Sequence, residues 1–260
     1  MKAMIFAAGL GTRLKPLTNT IPKALLPLGG KTLLQRQIEQ LRDAGIRDIV
    51  VNVHHFPDQI INCIRQHDGW GCRVTVSDER DRLLETGGGL YQAASLLTEG
   101  DNKEPILACN VDILSNINLK SLITAHQPDT LATLVVSERQ TLRYLLFDEA
   151  GNLRGWTHTG TGEIRPSADV PADKLQHLAF SGMQIIHPRL FDKAEALRKE
   201  KGDKFSLIDL YLSIIARPQP SDIIRAYIPQ NYRMMDVGKI DQLDEAERFA
   251  KTLTESQENQ

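Results

Sequence analysis

The sequence predicts an α/β fold, a mixed but mainly parallel central sheet with helices on both faces, in three layers. Three observations carry this expectation. An apolar run at residues 2–6 breaks straight into a glycine-rich turn, as a buried strand does at the ligand edge of a parallel sheet. From residue 32 onward, short β-branched runs alternate with stretches of helical periodicity, the pattern of parallel crossovers. A further apolar run, 105–109, ends in Asn110-Val111-Asp112 and so places a carboxylate just beyond a strand's carboxyl end, where open α/β sheets bind ligands.

The first element justifies itself chemically. After the strand comes AAGLGTRLKPLTNTIPKALLP, residues 7–27. Gly9 and Gly11 lack Cβ atoms, so the backbone can take positive φ, approach a ligand closely and turn N–H groups toward anionic oxygens. Such a turn is a phosphate cradle. The dinucleotide fingerprint fails, because Leu14 stands where a third small residue belongs. Gly30-Lys31-Thr32 resembles the end of a P-loop, yet Leu25 replaces the required earlier glycine. A plain surface turn would not explain the fixed cations Arg13 and Lys23.

Composition narrows the function classes. The 260 residues suffice for one domain over 1–252, which would bury about three quarters of its unfolded surface, with a polar tail at 253–260 expected to fray. Thirty-one basic against 33 acidic residues give a net charge of -2, so no global field draws nucleic acid or an anionic membrane. Cys63, Cys72 and Cys109 are an odd set with no C-x-x-C pair, which argues against a disulfide framework or a zinc site. No run of 18 apolar residues and no cleavable leader pattern occurs, so a soluble, cytoplasmic protein is expected, monomeric or homodimeric.

The run Ala7-Ala8-Gly9-Leu10-Gly11-Thr12-Arg13-Leu14, with Pro16-Leu17-Thr18 and Pro22-Lys23-Ala24-Leu25-Leu26-Pro27, resembles the signature of the sugar-1-phosphate nucleotidyltransferases. Within them it is most similar to the N-acetylmuramate-1-phosphate uridylyltransferase and mannose-1-phosphate guanylyltransferase branch. The resemblance implies a Rossmann-like fold of the nucleotide-diphospho-sugar transferase type, with a nucleotide-binding half at 1–137 and a sugar-binding half at 138–252. It also implies Mg²⁺ as cofactor and a nucleoside triphosphate and a sugar 1-phosphate as substrates. Ala7, Ala8, Gly9, Gly11 and Thr12 would then hold the nucleotide, and Arg13 and Lys23 would be catalytic.

The remaining elements follow in order. Leu33, Leu34, Ile38 and Leu41 share one side of a helix over 32–44 that Gly45 stops. A β-branched strand at 48–54 precedes a helix over 58–67 carrying Ile60, Ile61 and Ile64, and a strand at 72–77. His54 and His55 are adjacent, point to opposite faces and read as loop or partner-contact residues. Glu85-Thr86-Gly87-Gly88-Gly89 reads as a glycine loop before a helix over 90–97, with room for a planar group against bare backbone. In the resembled family Glu-Thr-Gly-Gly lies against the nucleotide base, which assigns Glu85, Thr86, Gly87 and Gly88 to that role.

Asp112 is a hard oxygen donor of the kind Mg²⁺ selects. Its alternative role, capping a helix over 116–126, is weak because Ser115 and Asn116 stand nearer that helix. The family usually has Gly-Asp here, and this chain has Val111 before Asp112. Strands are expected at 130–136 and 143–147, then a polar segment over 155–174 that we read as a lid or substrate loop. The family's Glu-Lys-Pro, whose lysine holds the sugar phosphate, has a loose counterpart in Glu163-Ile164-Arg165-Pro166, so Arg165 stands in for that lysine. A strand at 178–186 is interrupted by Ser181-Gly182, either a simple bulge or a close approach, and in the family this element faces the sugar, so the resemblance assigns Ser181 and Gly182, with Asn110, to sugar-phosphate binding. Helices over 189–199 and 205–216 are core. A last strand at 222–228 leads to Asp236-Val237-Gly238, similar to the family's Asp-Val-Gly-Thr-Pro, whose aspartate is the second metal ligand. Otherwise Asp236 would cap a helix over 239–252.

A sugar 1-phosphate is already an anionic nucleophile at neutral pH, because the second pKa of a phosphate monoester is near ~6. The reaction with a nucleoside triphosphate therefore needs placement and charge neutralisation more than a general base. A metal-dependent glycosyltransferase could use Asn110-x-Asp112 but has no use for two cations on the first loop. A catalytically silent, ligand-sensing relative would be expected to have lost one of Arg13, Lys23, Asp112 and Asp236, and all four are present. UTP with N-acetylmuramate 1-phosphate is the expected pair, followed by GTP with mannose or heptose 1-phosphate.

Overall fold

A computed structural model describes residues 1–99, 103–167 and 170–258. Residues 168–169 of the expected lid and 259–260 of the tail lie outside the described residues. The chain begins with β1 (Lys2–Phe6), a small hairpin of β2 (Pro27–Leu28) and β3 (Lys31–Thr32), then α1 (Leu33–Asp43). Next come β4 (Asp48–Val53), α2 (Pro57–Gln66), β5 (Arg73–Asp78), α3 (Glu85–Gln92) and α4 (Ala94–Leu97). Then follow β6 (Ile106–Asn110), β7 (Ile113–Ser115), α5 (Leu119–Ala125), β8 (Thr130–Ser137), β9 (Arg143–Phe147), β10 (Leu153–His158) and β11 (Glu163–Arg165). The chain closes with β12 (Gln176–Ile186), α6 (Leu190–Lys201), α7 (Leu207–Ala216), β13 (Ile223–Tyr227), β14 (Met234–Asp236) and α8 (Leu243–Glu258).

The central sheet is mixed. Strands β5, β4, β1 and β6 run parallel in that order, β12 joins antiparallel to β6, and β9, β10 and β11 continue antiparallel to the far edge. Strand β8 pairs with β12 and carries β13 parallel on its outer side. Alternation along β1 sends Ala3 and Ile5 into a core shared with α1 and α2, and Met4 and Phe6 into a second core shared with α3, α6 and α7. Two apolar layers on opposite sheet faces give the three-layer α/β/α architecture. Among the described residues no helix is long and apolar enough to cross a membrane. The three cysteines are free.

Local sequence accounts for most boundaries. Thr32 caps α1 by accepting from the Gln35 N–H at 3.1 Å, and Gly45 ends it at φ 92°. Gly29 and Gly30, both at positive φ, form the turn of the β2–β3 hairpin, so the P-loop likeness there is structural coincidence.

Five expectations are corrected. Residues 113–115 form β7, not the approach to a helix, so α5 starts later and Asn118 caps it through the Ser121 N–H. The strand at 222–228 is not the last, because β14 follows and pairs with β7. Much of the segment 155–174 is a hairpin, with Trp156 opposite Arg165 across a turn through Gly162 at φ 72°. Helix α8 runs through Glu258, not stopping at 252, because Leu253 extends the apolar stripe of Ala246 and Ala250 onto the core.

The fifth correction concerns the glycine run, which lies within α3 instead of preceding it. A Cβ on Gly87 would stand 2.6 Å from the Phe205 ring and one on Gly88 2.1 Å from the Asp203 carbonyl oxygen. The Gly87 and Gly88 N–H groups both donate to the Phe205 carbonyl, at 2.9 and 3.0 Å. These glycines let α3 press against the chain entering α7. Helix propensity alone would make Gly88→Ala stabilising by about 1 kcal/mol, whereas overpacking against a fixed backbone costs about 1–3 kcal/mol. We expect the steric cost to win and the variant's melting temperature to fall; a rise would show that the contact yields.

Candidate active site

The first loop is held from beneath. Phe6 ends β1, and the Ala7 N–H donates to Asn52 Oδ1 at 2.8 Å from the middle of β4. The same amide donates from Nδ2 to Glu79 Oε1 at 2.7 Å. Asn52 and Glu79 are buried, and burial pushes the Glu79 carboxyl above the usual range, against the hydrogen bond from Asn52. A Cβ on Gly89 would strike both side chains, so α3 closes over this relay. Neither residue was singled out from the sequence. A lone asparagine inside a β-branched strand is the signal that could have found it.

Above that relay the loop bends as its glycines require. Gly11 sits at φ 62°, and Thr18 Oγ1 donates to its carbonyl at 2.8 Å. His55 Nε2 reaches the Thr18 carbonyl at 3.1 Å, which gives this histidine a loop-holding role. At Gly9 a Cβ would meet nothing within 4 Å, so the backbone there borders open space. Buried Leu14 pins the 3-10 turn Thr12–Leu14, leaving exposed Arg13 free of ion pairs among the described residues. Lys23 starts another 3-10 turn, is only 8% exposed, and its Nζ is paired with Asp112 Oδ2.

Pairing of β7 with β14 brings the two predicted metal carboxylates together. Asp236 lies opposite Ile113, and the Val237 N–H donates to the Asp112 carbonyl at 2.9 Å. Asp236 caps no helix, since the following 3-10 turn has Lys239 at its cap position without a side-chain bond. The place where Gly238 would carry a Cβ is 2.9 Å from both Arg13 Nη2 and Asp236 Oδ1. The bare backbone of Gly238 thus admits an arginine and a carboxylate side by side. Asp236 is open to solvent on one side, yet the protein around it and the neighbouring Asp112 raise its carboxyl above the usual range, against Lys23, Arg13 and Arg139. Val111, where the resembled family has glycine, is buried in the core at a backbone conformation open to any residue, and its N–H donates to the Phe6 carbonyl at 3.1 Å.

These parts border one cleft of about 390 Å³. Ala7, Gly9, Gly11, Thr12, Arg13 and Lys23 form its loop side; Thr86, Asn110, Asp112 and Gly238 face them. Ala8 is buried next to the loop. Gly182 lies against Asn110, its missing Cβ 2.8 Å from Asn110 Nδ2, and Ser181 beside it is fully buried. The bulge between Phe180 and Gln184 is therefore also a close approach. Three predicted residues do not line this cleft: Glu85 is exposed and 3.8 Å from Lys204, and Gly87 and Gly88 are packed on their Cβ sides as described above. Arg165 is engaged by neighbours: Glu163 at 2.9 Å, Asp209 at 3.4 Å and the Trp156 ring at 4.3 Å.

Among the described residues no group of three His, Cys, Asp or Glu side chains could hold a metal. Asp112 and Asp236 instead form an open pair of hard oxygens beside a cleft lined by cations. That donor set fits Mg²⁺, which binds through one or two carboxylates and fills its octahedron with substrate phosphates and water.

Comparison with known proteins gives a consistent picture. Residues 2–252 match the family model described as nucleotidyl transferase. An N-acetylmuramate alpha-1-phosphate uridylyltransferase of Caulobacter vibrioides is 34% identical over 195 residues, covering 72% of this chain and 76% of that protein. A probable mannose-1-phosphate guanylyltransferase of Oryza sativa subsp. japonica is 28% identical over 200 residues, covering 75% of this chain, which spans only 52% of that relative's length. The crystal structure of HddC from Yersinia pseudotuberculosis complexed with GMP-PN superposes with a TM-score of 0.72 at 21% identity, over 95% of this chain and 98% of that one, a likeness of fold.

Proposed function

This chain belongs to the nucleotidyl transferase family, as a sugar-1-phosphate nucleotidyltransferase, and on that premise we propose that it joins UTP to N-acetylmuramate 1-phosphate. The observation that carries the reaction is the meeting of a glycine loop, two cations and Asp112 at one cleft, with Asp236 beside Gly238 at its edge. An oxygen of the sugar phosphate attacks the α-phosphorus, the bond from that phosphorus to the bridging oxygen of the β-phosphate breaks, and pyrophosphate leaves with the bonding electrons. No proton has to move.

Each residue has a task that follows from its charge and position. Gly9 and Gly11 let the triphosphate approach the backbone, and Ala7, tied to Asn52, fixes the start of that loop. Arg13, exposed and held at the cleft by the turn that buries Leu14, offsets charge growing on the departing pyrophosphate. Lys23 supplies a point charge between phosphates. Asp112 and Asp236 are the proposed ligands of Mg²⁺, which when bound would neutralise the α-phosphate and sugar phosphate oxygens.

The identity of the pair rests on the 34% relative covering most of both chains. GTP with mannose or heptose 1-phosphate is the second reading, favoured by the guanylyltransferase likeness. A panel of five nucleoside triphosphates against N-acetylmuramate, N-acetylglucosamine, mannose and heptose 1-phosphates, followed by pyrophosphate release, separates them. We expect the highest kcat/KM with UTP and N-acetylmuramate 1-phosphate; a tenfold preference for GTP with mannose 1-phosphate would reverse the assignment.

A further inference from the structure

We propose that Arg139 binds an anionic oxygen of the sugar substrate, either its phosphate or a carboxylate carried on the sugar. This rests on the sugar-1-phosphate reading above and adds a cation to the sugar half, where Arg165 is already engaged by two carboxylates and a tryptophan ring and Arg233 of the same hollow lies over the Phe249 ring at 5.8 Å. Arg139 leaves β8 and its Nη2 donates to the Phe180 carbonyl at 3.1 Å, at the residue that opens the β12 bulge. That single bond uses one of five guanidinium N–H groups and orients the rest. Among the described residues no carboxylate is within ion-pair distance of it, although Glu138 and Glu245 border the same space.

That space is an open hollow of about 480 Å³ which Arg139 shares with Tyr232 and Met235. Met235 lines this hollow and Gly238, three residues on, lines the phosphate cleft, so one short stretch of chain borders both spaces. Alongside lie the buried hydroxyls of Ser115, Ser181 and Tyr232, clustered so that the Tyr232 phenol reaches both serines. A planar guanidinium with free donors is the group suited to bidentate capture of phosphate or carboxylate.

The test measures sugar binding directly. Titration calorimetry would follow N-acetylmuramate 1-phosphate and N-acetylglucosamine 1-phosphate, which differ in the lactyl carboxylate, binding to wild type, Arg139→Ala and Arg139→Lys. Arg139→Ala should weaken N-acetylmuramate 1-phosphate at least tenfold, leave KM for the nucleoside triphosphate unchanged, and be partly rescued by Arg139→Lys. Equal weakening of both sugars assigns the contact to the phosphate; weakening of the muramate compound alone assigns it to the carboxylate. Unchanged affinity for both overturns the proposal, as does a wild type that binds neither. Pyrophosphate release is scored separately: binding without turnover sinks the proposed reaction and leaves Arg139 in place, whereas turnover with an unaffected Arg139→Ala sinks Arg139 alone.

Discussion

Asp112→Asn is expected to abolish Mg²⁺-dependent pyrophosphate release, with a fall in kcat/KM of at least about a thousandfold. A metal that neutralises transferring phosphoryl oxygens contributes several kcal/mol, and about 4 kcal/mol corresponds to three decades in rate. The substitution keeps shape and an acceptor oxygen for the buried Lys23 ammonium while removing the charge both Lys23 and the metal require. The backbone bond from Val237 to the Asp112 carbonyl is untouched, so β7 and β14 should stay paired and the protein should remain folded. Two measurements separate loss of metal from loss of fold. The melting temperature should drop by no more than a few degrees, and Mn²⁺ binding followed by paramagnetic resonance should weaken together with activity. Full turnover in the variant would place the metal elsewhere.

Arg13→Ala should reduce kcat by about 10²–10³, equivalent to the roughly 2.7–4 kcal/mol that one preorganised donor contributes to a developing anion. Stability should scarcely change, since Arg13 is exposed and the turn is anchored by its buried neighbour Leu14. The effect should appear mainly in kcat, because charge on the pyrophosphate grows as the bond breaks, and affinity for the ground-state triphosphate should change less. Arg13→Lys should recover part of the rate as a point charge without the planar fork. A variant with wild-type kcat would remove Arg13 from the chemistry and leave Lys23 as the cation of the loop.

Legibility differed between parts of the chain for identifiable reasons. The strand at 2–6, the loop at 7–27 and the helix built on Leu33, Leu34, Ile38 and Leu41 were readable because contiguous residues carry each signal. Gly11 needed a positive φ and has one. The glycine run at 87–89 was placed before the helix and lies within it, because a lack of side chains marks a loop or a close helix contact equally well, and here Phe205 and Asp203 stand against Gly87 and Gly88. Asn52 and Glu79 escaped notice since a buried polar residue is recognisable only once its burial is known.

The sequence by itself determined the chemistry of the first loop and the alternation that builds a three-layer sheet, because both depend on residues adjacent along the chain. It also named Asp112 and Asp236 as carboxylates worth watching. Only the tertiary structure decided that they stand together, through a three-residue strand pairing that no local periodicity announces. It likewise turned Arg165 toward its own neighbours and Arg139 toward the bulge of β12. Side-chain direction at such positions is set by contacts between segments far apart in sequence, and those contacts exist only after the core has closed.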